Sequence, residues 1–221
     1  MKDFIRNPLP PQIAPALVRK LLAAEAATCG HFLHSHFMAG EIQAMGPEAR
    51  IAGTAVTLRL AANDSALLHD VISDLRPGDV LIVDRSGDTR HACWGGGVTH
   101  AAVLTGMAGA VVDGPLTDLG EIRRLGLPIW ARGRSALTTK LYAQSGAFNI
   151  PVSCGGVIVH PGDAVIADES GVVVLPPEIA EAAADRAIAM QAAEQTLIAR
   201  LRAGERMGDI SGASAMIAER L

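Results

Sequence analysis

Ile13, Leu17, Leu21 and Ala24 recur at helical spacing with Arg19, Lys20 and Glu25 on other faces, which predicts an amphipathic helix over 12–28, ended by Gly30. The period then changes. Val56, Leu58 and Leu60 alternate with Thr57 and Arg59, the two-residue repeat of a half-exposed strand over 51–60. Leu67, Leu68, Val71, Ile72 and Leu75 mark a short helix. Pro77-Gly78-Asp79 is a turn feeding the apolar run 80–83, and Pro161-Gly162-Asp163 does the same before 164–167. Between these turns Gly95-Gly96-Gly97 opens a helix over 98–107, followed by a strand at 110–112, a helix over 118–125 and a strand at 127–131. Gly171 turns the chain into a strand at 172–175, which Pro176-Pro177 stops. A long helix over 177–206 follows, with Ile179, Ala183, Ala187, Met190, Leu197 and Leu201 in one stripe and Asp185, Arg186, Glu194 and Arg202 off it. Alternating strands and helices predict an α/β fold. With no low-complexity linker, the expectation is one domain over 1–221, with a leader segment over 1–11 and helices near both ends.

Composition narrows the function. With 49% hydrophobic and 19% charged residues the chain is too apolar for disorder. Its net charge of −4 offers no basic field for nucleic acid or an anionic membrane, and at 3% aromatics it has few platforms on which bases stack. The start, Met1-Lys2-Asp3-Phe4, reaches Pro8, Pro10 and Pro11 before any apolar run, so no signal peptide is expected, and no stretch reaches the ~18 apolar residues of a spanning helix. Cys29, Cys93 and Cys154 are an odd number without a C-x-x-C pair. That suits neither a disulfide framework nor a four-thiolate zinc site, and points to the cytoplasm.

Chemistry-bearing residues concentrate between 94 and 121. Gly95, Gly96 and Gly97 at a helix start let backbone N–H groups approach an anion, favoured by the helix dipole, although such a run also serves tight packing. Asp113, Asp118 and Glu121 place three carboxylates at a strand end and the next helix start, where α/β folds keep ligands. Mg²⁺ or Mn²⁺ needs only one or two carboxylates plus waters. The same spacing reads locally as a capping box, with Asp118 as N-cap and Glu121 reaching back. Elsewhere, Cys29, His31, His34 and His36 match no strong zinc spacing, and His91 and His100 flank the glycine run as polar residues able to carry protons. Of the three lysines, Lys2, Lys20 and Lys140, only Lys140 is placed to form a Schiff base, so metal-dependent chemistry is the better expectation.

Gly96, twenty intervening residues, Thr117, Asp118, two residues and Glu121 resemble the Gly-x20-Arg-Asp-x2-Glu/Asp pattern of the RraA-like proteins, with one change. That family includes the metal-dependent 4-hydroxy-4-methyl-2-oxoglutarate and 4-carboxy-4-hydroxy-2-oxoadipate aldolases. Gly53-Thr54-Ala55-Val56-Thr57, Pro77-Gly78-Asp79-Val80, Trp94-Gly95, Val112-Asp113-Gly114, Gly155-Gly156-Val157 and Pro161-Gly162-Asp163 are similar to further landmarks, so the resemblance covers roughly 12–206. It implies a single ββα-type α/β domain assembled as a homotrimer or hexamer, with sites at subunit interfaces. It implies a divalent metal held mostly through waters and Asp118, with Glu121 a second carboxylate at the metal, and a bound oxo acid on the amides of Gly95, Gly96, Gly97 and Val98. Two departures stand out. Thr117 replaces the Arg that clamps the pyruvyl carboxylate, and Gly96 replaces an Asp of the aldolases. A lost charge-assisted bond of ~1.5–3 kcal/mol weakens binding unless another cation takes over, and Arg90, Arg123 and Arg124 lie nearest in sequence.

The expected function is a carbon–carbon lyase on a small 2-oxo acid, an aldolase or decarboxylase acting through a metal-stabilised pyruvate enolate. Asp118 and Glu121 would be the catalytic and metal-binding pair, and Thr117 would give a neutral hydrogen bond to substrate. The alternative is a non-catalytic regulatory protein resembling the ribonuclease-inhibitor branch of the family, which the change at Thr117 keeps open while Asp118 and Glu121 argue for metal.

Overall fold

The computed structural model describes residues 3–221. Its elements run β1 (Phe4–Arg6), α1 (Pro15–Ala23), α2 (Ala26–Cys29), β2 (Gln43–Ala44), β3 (Ile51–Leu60), α3 (Ala66–Val71), β4 (Asp79–Asp84), α4 (Gly96–Thr105), β5 (Gly109–Leu116) and α5 (Leu119–Leu125). They continue with β6 (Ile129–Arg134), β7 (Gly146–Phe148), β8 (Val152–Cys154), β9 (Val157–Val159), β10 (Ala164–Asp168), β11 (Gly171–Leu175), α6 (Pro177–Arg202), α7 (Met207–Ser211) and α8 (Ala213–Ala218). The α/β expectation holds. One nine-stranded mixed sheet has the order β1-β7-β3-β4-β5-β6-β2, with β10 and β11 attached through β3. β3 to β6 are parallel neighbours, joined by helical crossovers, and form its centre.

β3 is the hinge of the topology, and here the half-exposed reading fails. One edge pairs with β4, while the other is divided between β10 at Ile51–Thr54 and β7 at Leu58–Leu60. Both faces are covered, so every residue of β3 except Arg59 is buried. Thr57 fits because its hydroxyl donates to the Ile150 carbonyl at 2.6 Å, which removes the cost of burying it. One face packs on α3 to α5 through Leu58, Leu68, Val83, Trp94, Ala102 and Ile122. The other carries Ile82, Val111 and Trp130 against the β8–β9 hairpin. That hairpin turns at Gly155-Gly156, both at positive φ, as a two-residue turn with right-handed strand twist requires.

The predicted helix over 12–28 is two helices. Ala24 and Glu25 are extended, with ψ of 135° and 137°. The break persists because tertiary partners take the amides a continuous helix would use. Glu25 N–H donates to Gln191 Oε1 and Ala26 N–H to the buried Asp168 carboxylate. Gly30 closes the second helix, as expected. The C-terminal helix ends at Arg202 rather than 206, where Gly204 takes φ +91°. Its buried stripe is Ala180, Ala183, Ala184 and Ala187 against β10, β11, α1 and α2, so Ile179 lies off it and no residue of the helix beyond Ala187 is buried. Among the described residues no helix is long and apolar enough to cross a membrane.

Candidate functional site

The central parallel strands end along one edge of the sheet, and the site forms where β5 runs out. Trp94 bridges to Leu116, and the Thr117 N–H donates to the Trp94 carbonyl at 2.9 Å. This lays the glycine run beside the residues that follow β5. The run is held from behind: the buried Trp94 indole donates to Thr99 Oγ1 at 3.0 Å, and that hydroxyl donates to the Gly95 carbonyl at 2.8 Å.

The three glycines differ in what they do. A Cβ on Gly95 would stand 2.7 Å from both Asp118 Oδ2 and Thr117 Cγ2, so a side chain there would have to displace them. A Cβ on Gly96 would lie 3.2 Å from Glu121 Cγ and 3.5 Å from Asp118 Oδ2. A Cβ on Gly97 would touch nothing, because its backbone borders the open cleft. Two glycines are therefore spent on close approach and one faces the cleft.

Asp118 precedes α5 in the left-handed region, at φ 53° and ψ 39°. Asp and Asn tolerate this conformation better than other side-chain-bearing residues. It also overturns the capping box. The Asp118 side chain makes no cap to α5; its Oδ2 accepts the Gly96 N–H at 2.9 Å and its Oδ1 the Thr117 hydroxyl at 3.3 Å. Glu121 does not reach back either. Its carboxylate takes Arg124 Nε at 3.0 Å and lies 2.8 Å from His100 Nε2, contacts that hold its pKa at about 2, Arg124 contributing most. The first turn of α4 is thus joined to the start of α5 through the Asp118 carboxylate, and Gly97 and Val98, at the helix start where N–H groups lack an intrahelical partner, line the first cleft.

Two clefts meet at Thr117 and Asp118. The first, about 240 Å³, has Gly95 to Val98 on one wall and Ser65, His69, Thr138, Thr139 and Leu141 opposite. That opposite wall is tied down by Thr139, whose N–H donates to Ala92 O at 3.0 Å and whose hydroxyl donates to Ser65 Oγ at 2.8 Å. The second cleft, about 450 Å³, is lined by Leu116 to Leu119 together with Arg134, Ser135 and Ala136.

Gly95, Gly96, Gly97, Val98, Thr117, Asp118 and Glu121 are thus brought together. Asp113 is not. It joins Arg132 and the Gly155 N–H, pinning the β8–β9 hairpin. The three arginines nearest in sequence lie elsewhere too: Arg124 is paired with Glu121, Arg123 donates to the Met45 carbonyl, and Arg90 lines neither cleft. Lys140 is exposed outside both clefts, with its amine 3.4 Å from Thr138 Oγ1. His91 is held by Asp88 at 2.7 Å. Cys93 borders the first cleft, but burial pushes its thiol pKa up, which suits an inert core residue. Among the described residues no three His, Cys, Asp or Glu side chains converge on a common metal position, the histidines after Cys29 included. Sequence reasoning missed His69, Arg134, Thr138, Thr139 and Leu141. The rule that α/β ligands gather at the carboxyl ends of strands would have found Arg134, the last residue of β6.

The family model RraA-like (Aldolase/RraA) matches residues 24–174. The 4-hydroxy-4-methyl-2-oxoglutarate aldolase of Thermus thermophilus is 37% identical over 136 residues, 61% of this chain and 80% of that protein. A Halalkalibacterium halodurans protein provisionally given the same name is 35% identical over 135 residues, and the match spans 64% of its length. Protein DlpA of Legionella pneumophila is 25% identical over 217 residues, only 35% of that longer protein. Among solved structures, RraAS2 of Streptomyces coelicolor, described as an unusual member of the RNase ES inhibitor RraA family, superposes with a TM-score of 0.74 at 32% identity. The superposition covers 83% of this chain and 96% of that one. On the strength of the family-model match and the fold, the chain belongs to the RraA-like family.

Proposed function

We propose that the chain is a divalent-metal-dependent carbon–carbon lyase acting on a 2-oxo acid. The observation that carries this reading is Asp118, exposed at the mouth of the glycine run with its carboxylate fixed by the Gly96 N–H. The donor chemistry suits a hard cation: one carboxylate with room for water is what Mg²⁺ or Mn²⁺ requires. Asp118 would hold the ion, and Glu121, both of whose oxygens are engaged, would act beside it rather than on it. When bound, such an ion supplies Lewis-acid stabilisation of negative charge developing on the 2-oxo oxygen.

The chain's own residues do the rest. The Gly97 and Val98 amides, at the positive end of α4, bind the adjoining carboxylate. Gly95, with no side chain to push it away, keeps Asp118 close enough to meet it. Thr138 and Thr139 form the opposite wall.

Pyruvate release from oxaloacetate and from a 4-hydroxy-2-oxo acid, with Mg²⁺ and with EDTA, tests the reading. Turnover is expected with the metal and not with EDTA. Asp118→Asn should lower kcat roughly a hundredfold or more while Mg²⁺ binding by calorimetry is lost. A folded wild type that neither binds Mg²⁺ nor releases pyruvate supports the second reading, a regulatory binding protein, which the likeness to RraAS2 favours.

A further inference from the structure

Resting on the lyase reading, we infer that Arg134 binds a second carboxylate of the substrate and sets the preference for a 2-oxo acid with a negative charge at its far end. Arg134 is the only Arg or Lys lining either cleft among the described residues. Its neighbours are all engaged: Arg132 with Asp113, Arg124 with Glu121 and Arg123 with the Met45 carbonyl. Arg134 has no acidic partner within 4 Å among the described residues, although Asp118 lines the same cleft. A lone guanidinium beside the proposed reacting centre is a carboxylate receptor, since its forked N–H groups match the two oxygens.

The backbone delivers it there. β5 and β6 run in regular parallel register through Val112↔Ala131, then shift so that Pro115 faces Gly133 and Leu116 faces Arg134. β5 spends three residues where β6 spends two. Without that bulge Leu116 would face Ser135. With it, Ser135 follows as a second donor: its N–H donates to the Leu116 carbonyl at 2.8 Å, and its hydroxyl oxygen accepts the Leu137 N–H at 3.1 Å, so its O–H is free for a ligand. A substrate whose first carboxylate sits on the Gly97 and Val98 amides would cross the Thr117–Asp118 ridge, which both clefts share, and place its far end on Arg134 and Ser135.

Calorimetric binding of 2-oxoglutarate and of 2-oxobutyrate, in Mg²⁺, to the wild type and to Arg134→Gln tests the inference. The wild type should bind the dicarboxylate at least tenfold more tightly. Arg134→Gln should reduce that preference to twofold or less without changing 2-oxobutyrate binding, and Arg134→Lys should keep part of it. In steady state, Arg134→Gln should raise KM for 4-hydroxy-2-oxoglutarate at least tenfold, leaving KM for 4-hydroxy-2-oxopentanoate within twofold. Equal affinities in the wild type, a preference that survives in Arg134→Gln, or no binding of either acid overturns the inference. Loss of the binding preference in Arg134→Gln without pyruvate release by any form would support the Arg134 site and remove the lyase reading. Arg134 is exposed and unpaired, so the variants should melt with the wild type.

Discussion

A methyl group distinguishes Gly95 from Gly97. Gly95→Ala drives a Cβ into Asp118 and Thr117 and should cost ~1–3 kcal/mol in denaturant unfolding, with loss of metal binding. Gly97→Ala meets no atom and gains helix propensity, so stability should hold or rise by up to ~1 kcal/mol while KM increases, because the methyl enters the cleft. Glu121 gives a pH signature. Its folded pKa of about 2 lies below the ordinary carboxylate value, so its contribution is full above that value and disappears as pH falls towards 2. Melting temperatures of wild type and Glu121→Gln should therefore differ above about pH 5 and converge near pH 2. The sequence showed which residues meet here, because the spacing from Gly96 to Glu121 survives in one chain. It concealed how they meet: a left-handed Asp118 and an Asp118–Gly96 bond depend on Trp94 lying along the end of β5, and nothing local to 118–121 records that.

Asp64 shows how an element is held by one side chain. It is buried before α3, and its carboxylate accepts the N–H groups of Ala66 at 2.9 Å, Tyr142 at 3.1 Å and Gln144 at 2.7 Å. Burial pushes its pKa up, but the backbone N–H groups of Gln144, Ala66, Tyr142 and Ala143 outweigh that and hold it below the usual range. Asp64→Ala should release the segment after Thr138. Limited proteolysis should then cut between 138 and 145 in the variant and not in the wild type, with weaker substrate binding. The strands at β4 and β11 were legible because long apolar runs bounded by Pro-Gly-Asp or by paired prolines have few other solutions. The break at Ala24 was not, because both partners that create it, Gln191 and Asp168, lie more than a hundred residues away.

At the scale of the whole molecule, the outer half of α6 and the two helices after it have no buried residue, while Met207, Met216 and Ile217 are exposed at 54%, 64% and 60%. Apolar side chains left exposed over these helices suit assembly. Light scattering at micromolar concentration should give a trimer or larger, and a monomer would contradict it. Composition and strand–helix alternation made the α/β class legible. They did not fix the order of the sheet, since β3 pairs at once with β4, β7 and β10 and the last two lie about ninety residues or more downstream. The bulge between Val112 and Pro115 bears on how this protein changes over generations. Losing one residue between Val112 and Pro115 would straighten β5 yet leave Leu116 opposite Arg134, because the two strands would then spend equal numbers of residues there. Relatives that differ by one residue within β5 can therefore keep the same pair at the strand ends, and an alignment that permits no gap inside the strand would set the wrong residues opposite each other.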